Sequence, residues 1–196
     1  EAIGPVGALA GRLEGEAVNI RVSGGTVKGH SSVGGLVGET DNDAVITASC
    51  ADVNVAGNNF YAGGLVGYLE KASVNASCST GAVSGDWYVG GLAGYSNGMI
   101  ENSTVAGTLI QGNNYVGGLA GIVRNDVIGS SAHIEVVGER EVGGLAGLFR
   151  GSTGKKITIR DSFATGDVTG INNLVGGLVG IISSGNIGSV NEITNS

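Results

Sequence analysis

"YVGGLAG" occupies Tyr88 to Gly94 and returns letter for letter at Tyr115 to Gly121. Its hexad begins at Val6 (as "VGALAG"), Val33, Ala62, Val89, Val116, Val142 and Val175. The leucines of the seven copies are Leu9, Leu36, Leu65, Leu92, Leu119, Leu145 and Leu178, separated by 27, 29, 27, 27, 26 and 33 residues. The period is near 27, with one insertion at 149–158 in "FRGSTGKKITIRD". Self-similarity at a fixed period of this length is the mark of stacked repeat units.

Other columns keep the phase of the hexad. A β-branched residue follows each leucine at Val18, Ile46, Val74, Ile100, Ile128 and, after the insertion, Ile159. A second apolar column reads Val22, Cys50, Cys78, Val105, Ala132 and Phe163. Glycines then close each segment at Gly29, Gly57, Gly85, Gly112, Gly138 and Gly170. Stretches such as "ITASCADVNV" alternate with period two, which argues strands, and no 3.6-residue apolar stripe competes. The closing glycines and the "GNN" runs suit corners that need positive φ.

A repeat of this length with about three short strands cannot bury its own apolar face, but it can when stacked on copies of itself. The expected fold is therefore all-β: a parallel β-solenoid of about seven coils, the last incomplete, forming a single domain over 1–196. Each coil adds about 4.8 Å, so the rod would be on the order of 30 Å tall. The leucines are expected to form an inward ladder, with the hexad glycines allowing close approach of backbone.

Composition agrees and removes several functions. Glycine supplies 39 of 196 residues without a collagen-like period of three, and hydrophobic residues reach 41 %, too many for a wholly disordered chain. Aromatics are only 5 %, so the core must be built from Val, Ile, Leu and Ala. The net charge of −7 comes with no basic stripe, which argues against nucleic acid. No apolar run is long enough to insert in a membrane as a helix.

The units "VGGLVG" and "VGGLAG", each followed by a serine-led strand closing on V-x-G, resemble GLUG repeats. Six copies keep G-G-L-[AV]-G, and the first departs with Ala8 in place of glycine. Such repeats occur in bacterial surface and secreted proteins, among them adhesin-like proteins and non-catalytic parts of immunoglobulin A peptidases. The resemblance implies a scaffold without catalytic residues, at an extracellular or cell-surface location.

Candidate sites are few. "GGLAG" lacks the G-x-G-x-x-G or G-K-[ST] spacing of phosphate loops and opens no helix, and "GSTGKK" lacks the strand-to-helix context. No H-E-x-x-H or G-x-S-x-G appears, and the corner carboxylates form no cluster with a cation, so no catalytic residue is assigned. His30 and His133 are isolated, and "ETDND" (Glu39 to Asp43) lacks a calcium-loop pattern, so no metal or cofactor is expected. Cys50 and Cys78 stack one coil apart, where about 4.8 Å permits a bridge. The preferred reading is two free thiols behaving as small buried hydrophobes of the inward column. Tyr61, Tyr88 and Tyr115 precede the hexad on three consecutive coils, beside Phe60 and Trp87, with Tyr68 and Tyr95 following it. They either cover the glycine-rich strands or form a stripe for a protein or glycan ligand.

The expectation is a non-enzymatic rod acting as a stalk or adhesion surface. Its alternatives are a filament unit stacking on identical chains or neighbouring solenoid segments, and an accessory region of a secreted peptidase. The chain reads as a piece of a longer array.

Overall fold

The structure is a computed structural model that describes residues 2–151, 154–185 and 190–196. The insertion at 149–158 includes Ser152 and Thr153, which lie outside the described residues, as do Asn186 to Ser189. Among the described residues there is no helix. The chain winds as a parallel β-solenoid of about six turns with three walls.

One turn illustrates the path. Cys50–Gly57 and Phe60–Gly63 lie in the first wall, Val66–Leu69 in the second and Ser73–Asn75 in the third. The first wall is a 13-stranded sheet because most turns cross it in two arms, and the other two walls have seven strands each. Within the second and third walls spatial order follows chain order, and neighbouring strands pair in parallel.

The hexad spans the corner between the first two walls. In "VGGLAG" of residues 89–94, Val89 and Gly90 end the first wall, Gly91 and Leu92 turn, and Ala93 and Gly94 open the second. Each leucine N–H donates to the leucine carbonyl of the next turn, from Leu9 to Leu36 through Leu145 to Leu178, at 2.8–2.9 Å. The side chains of Leu36, Leu65, Leu92, Leu119 and Leu145 are completely buried. At the ends Leu9 is 44 % exposed and Leu178 is half-buried, because fewer turns cover them.

The hexad glycines are required by backbone crowding rather than by φ. A Cβ on Gly91 would collide with the Gly118 carbonyl of the next turn and the Val105 side chain. A Cβ on Gly94 would lie 2.7 Å from backbone atoms of Tyr61, Ala62 and Gly67 in the turn before. Adjacent turns thus meet at the corner with no room for side chains.

Three expectations are corrected. Gly29, Gly57, Gly85, Gly112, Gly138 and Gly170 do not adopt positive φ. They instead make room for the hexad's first residue: a Cβ on Gly112 would sit 2.7 Å from Val89 Cγ2 and 3.0 Å from Val116 Cγ2. Second, the inward column of the first wall is Val22, Ala51, Ser79, Val105, Ala132 and Ala164. Cys50, Cys78 and Phe163 stand one residue earlier and point outward, as a one-residue slip in a period of two demands. Third, the inward column of the third wall is Ala17, Ile46, Val74, Ile100, Val127 and Ile159, so Val18 and Ile128 fall on the outer face.

Left-handed corners belong to other residues. Ala48, Ala76, Asn102, Gly129, Asp161 and Asn195 carry φ between 48° and 57° before the corner serines, and in the first turn Asn19 has φ 56° before Ile20, which stands in the serine's place. After them run Ser49, Ser77, Ser103, Ser130, Ser162 and Ser196 as a second ladder. The Ser49, Ser77, Ser103 and Ser130 N–H groups each donate to the serine hydroxyl of the next turn at 3.1–3.2 Å, and Ser162 N–H does so to Ser196 at 3.3 Å. The hydroxyls donate in turn to the carbonyl two residues back, as Ser103 does to Glu101 at 2.7 Å. Ser49, Ser77, Ser103, Ser130 and Ser162 are buried, so the links among them satisfy groups that water cannot reach.

Ser79 is the contrasting case: it is buried in an apolar column, and its hydroxyl has no hydrogen-bond partner among the described residues. Removing Ser103's hydroxyl orphans a buried N–H and should cost about 1–3 kcal/mol. Ser79→Ala should be neutral or stabilising. Urea unfolding of both variants checks this, and equal losses would contradict the ladder.

Candidate functional site

The tyrosines occupy the kink of the first wall, where the chain prepares to enter the hexad. Tyr61, Tyr88 and Tyr115 have φ of 60°, 57° and 53°, and Ser32, Glu141 and Leu174 take the same conformation on other turns. A bulky residue in this region carries backbone strain of about 1–2 kcal/mol. Stacking offsets it. The ring centroids of Tyr61 and Tyr88 are 5.2 Å apart at 18°, and those of Tyr88 and Tyr115 are 5.2 Å apart at 13°.

A second pair, Tyr68 and Tyr95, stacks at 4.8 Å and 10° on the outer face of the second wall. Tyr61 meets Tyr68 edge-on at 4.9 Å, joining the two columns. Trp87 lies over Phe60 at 6.4 Å and beside Tyr115 at 6.1 Å, tilted in both contacts. Tyr68 donates to Glu70 Oε2 at 2.8 Å, Asn97 donates to Glu70 Oε1 at 3.1 Å, and Arg124 donates to Tyr95 Oη at 3.0 Å. The aromatic residues form one cluster, with the Tyr68 and Tyr95 phenol groups tied to neighbours.

This geometry bears on the two readings of the stripe. Stacking a sugar on these tyrosines would need an open ring face, yet their faces lie against one another. The stacked rings of Tyr61, Tyr88 and Tyr115 suit a cover over the hexad corner, whose glycines carry no side chains of their own, while Trp87 lies tilted beside them. The Tyr68–Tyr95 column continues upward as Ile122 and Leu148, which are outward in register but only 7 % exposed.

Burial raises the pKa of Tyr61, Tyr68 and Tyr88 above the ordinary 10.0, and for Tyr68 the hydrogen bond to Glu70 adds to it. Desolvation favours the neutral phenol.

Cys50 and Cys78 form a disulfide, with Cα atoms 4.5 Å apart. The expectation of two free, inward thiols is corrected. Both sulfur atoms stand on the outer, half-exposed side of the first wall, where Cys50 pairs directly with Cys78 in parallel register. The bridge ties adjacent turns across 28 residues of chain.

Cavities also lie among the described residues. One of about 400 Å³ lies at the corner of the second and third walls, among Asp43, Lys71, Met99, Asn125, Asp126 and Lys155. Its polar groups are partly committed, since Lys155 donates to Asn125 at 2.7 Å and Thr158 N–H to Asp126 at 2.8 Å. Two others, about 270 and 240 Å³, adjoin on the outer face of the first wall and share Asn54 and Ala82. No motif in the sequence marks this pair, because it arises from strand irregularities. No group of His, Cys, Asp and Glu among the described residues is arranged to hold a metal ion.

Two outcomes follow from this geometry. Replacing both cysteines by serine should remove about 3–4 kcal/mol of stability, given the loop the bridge closes. An unchanged urea midpoint, or a free thiol in the native protein, would contradict the bridge. For the tyrosines, the folded state holds its phenol protons to higher pH than the unfolded chain. Stability from this source is full below pH 10.0 and falls as pH rises above it. Near-ultraviolet titration should therefore show phenols ionising above the ordinary value, with Tyr68→Phe removing the highest; a single transition at 10.0 would be the contrary result.

No curated protein and no solved structure matches the chain. Residues 85–110 match the family description "The GLUG motif". That span holds one hexad, the second-wall strand with Tyr95, a third-wall strand and the Ser103 corner, and the repeat region therefore carries the GLUG unit as one turn of the solenoid.

Proposed function

We propose that this chain is a non-catalytic structural segment of a secreted or cell-surface bacterial protein, a rigid rod that serves as a stalk or an adhesion surface. The observation that carries the reading is the unbroken leucine ladder, six successive N–H···O bonds at 2.8–2.9 Å with no seam between turns. Stability in such an array is a sum of nearest-neighbour terms, so stiffness extends along its whole height. The Cys50–Cys78 bridge favours an oxidising compartment, since exposed disulfides rarely persist in a reducing cytosol. An antibody raised against this chain should label intact cells of the source organism. Labelling only after permeabilisation would overturn the surface reading.

A second reading, end-to-end assembly, is favoured by one observation. Ladder residues that are covered within the stack are open at its ends: Val175 is 46 % exposed whereas Val142 is fully buried. Another turn, from the same array or from a second copy, would cover them. Light scattering across a concentration series tests the second-copy form; a constant monomer mass would dismiss it.

A further inference from the structure

The groove on the outer face of the first wall has a specific cause. The strand Arg21–Gly29 bulges between Ser23 and Thr26, where Gly24 and Gly25 both take positive φ. The strand Thr104–Gln111 bulges between Ala106 and Leu109. Between these two raised turns lie two that do not rise. The lower contributes Asp52, Val53 and Asn54. The upper is interrupted between Cys78–Ser79 and Val83–Ser84, and Gly81 there lies so close to the Val53 carbonyl that no side chain would fit. The result is a trough with a floor of two turns and walls made by bulges, and the Cys50–Cys78 bridge clamps the floor turns beside it.

Its lining has a definite chemistry. The polar end of about 270 Å³ presents Asp52, Asn54, Thr80 and Thr108. Thr80 donates to Asp52 Oδ1 at 2.8 Å, and Asn54 Oδ1 accepts from Ala82 N–H at 3.0 Å, which fixes both side chains. Asp52 Oδ2, Asn54 Nδ2 and the Thr108 hydroxyl remain for a ligand. The adjoining end of about 240 Å³ is mainly apolar, with Ala56, Ala82 and Leu109, edged by Thr26, Ser84 and Gln111. There is no cation in either lining, so a phosphate or other anion finds no counter-charge beside Asp52.

The geometry points to a saccharide-binding groove. Closely spaced hydroxyls donate to the Asp52 carboxylate and accept from Asn54 and Thr108, while the C–H face of a neighbouring ring lies on Ala82 and Leu109. An extended peptide is the weaker candidate, because the bordering strands already pair with one another and offer no free sheet edge. The proposal rests on the exposed, non-catalytic role above and names what such a surface would hold.

The test is an amide-resolved NMR titration of the whole chain with cellotetraose, chitotetraose, maltotetraose and mannotetraose, each to millimolar concentration. At least one should shift the amides of Gly24, Gly25, Asn54, Thr80, Gly81 and Thr108 saturably. Asp52→Asn keeps the shape but loses the charged acceptor, and should weaken that binding about tenfold. Ala82→Phe should abolish it while leaving the tyrosine and leucine amides in place, which separates blockage from unfolding. Absence of groove shifts with all four sugars, shifts confined to Tyr61, Tyr88 and Tyr115, or undiminished affinity in both variants would each overturn the proposal. Cell labelling judges the surface reading independently, so one can fail without the other.

Discussion

Parallel register between like residues is the constraint on which the rest of this structure depends. A leucine N–H reaches the leucine carbonyl one turn away only if both turns run the same path, and the same holds for each serine bond. The repeat in sequence is thus a repeat in hydrogen-bonding geometry. Once two turns are in register, leucine packs on leucine and isoleucine on isoleucine, and a core forms from residues too small to build a globular one. Phe149 is the one large aromatic side chain among those completely buried in the described residues.

The glycine content follows from the same constraint. Turns a strand's width apart must change direction together, and at the hexad corner backbone meets backbone across the stack. Gly91 faces the Gly118 carbonyl, and Gly118 faces that of Gly144. The corner is then bare, and the tyrosines cover it from outside. Their left-handed backbone, normally unfavourable for an aromatic residue, aims the rings along the stack axis where each meets the next. The hexad builds a wall, and the chemistry available to the molecule sits where the wall is irregular.

The architecture was legible because Leu36, Leu65, Leu92, Leu119 and Leu145 keep their phase against an otherwise variable background. What period-two reading could not supply was the phase inside the first wall. The left-handed residue before each serine resets the alternation, so Ala51 and Ser79 face inward while Cys50 and Cys78 face outward and join. Gly57 and Gly112 looked like turn glycines, but their small size rather than their freedom is what the neighbouring hexad residue needs. The serine ladder was visible as recurring serines, yet its links are backbone-to-hydroxyl bonds between residues distant in sequence. The trough was illegible for a different reason: it results from two bulges flanking the close approach of Gly81 to Val53, which depend on neighbouring turns differing in length.

Methyl-to-methyl NOEs along the leucine column test the central claim most directly. The account predicts contacts joining Leu36 to Leu65, Leu65 to Leu92, Leu92 to Leu119 and Leu119 to Leu145 in an unbroken chain, with spacing near 4.8 Å. Leucine methyls that show no such mutual contacts, each surrounded by a separate set of neighbours, would contradict it.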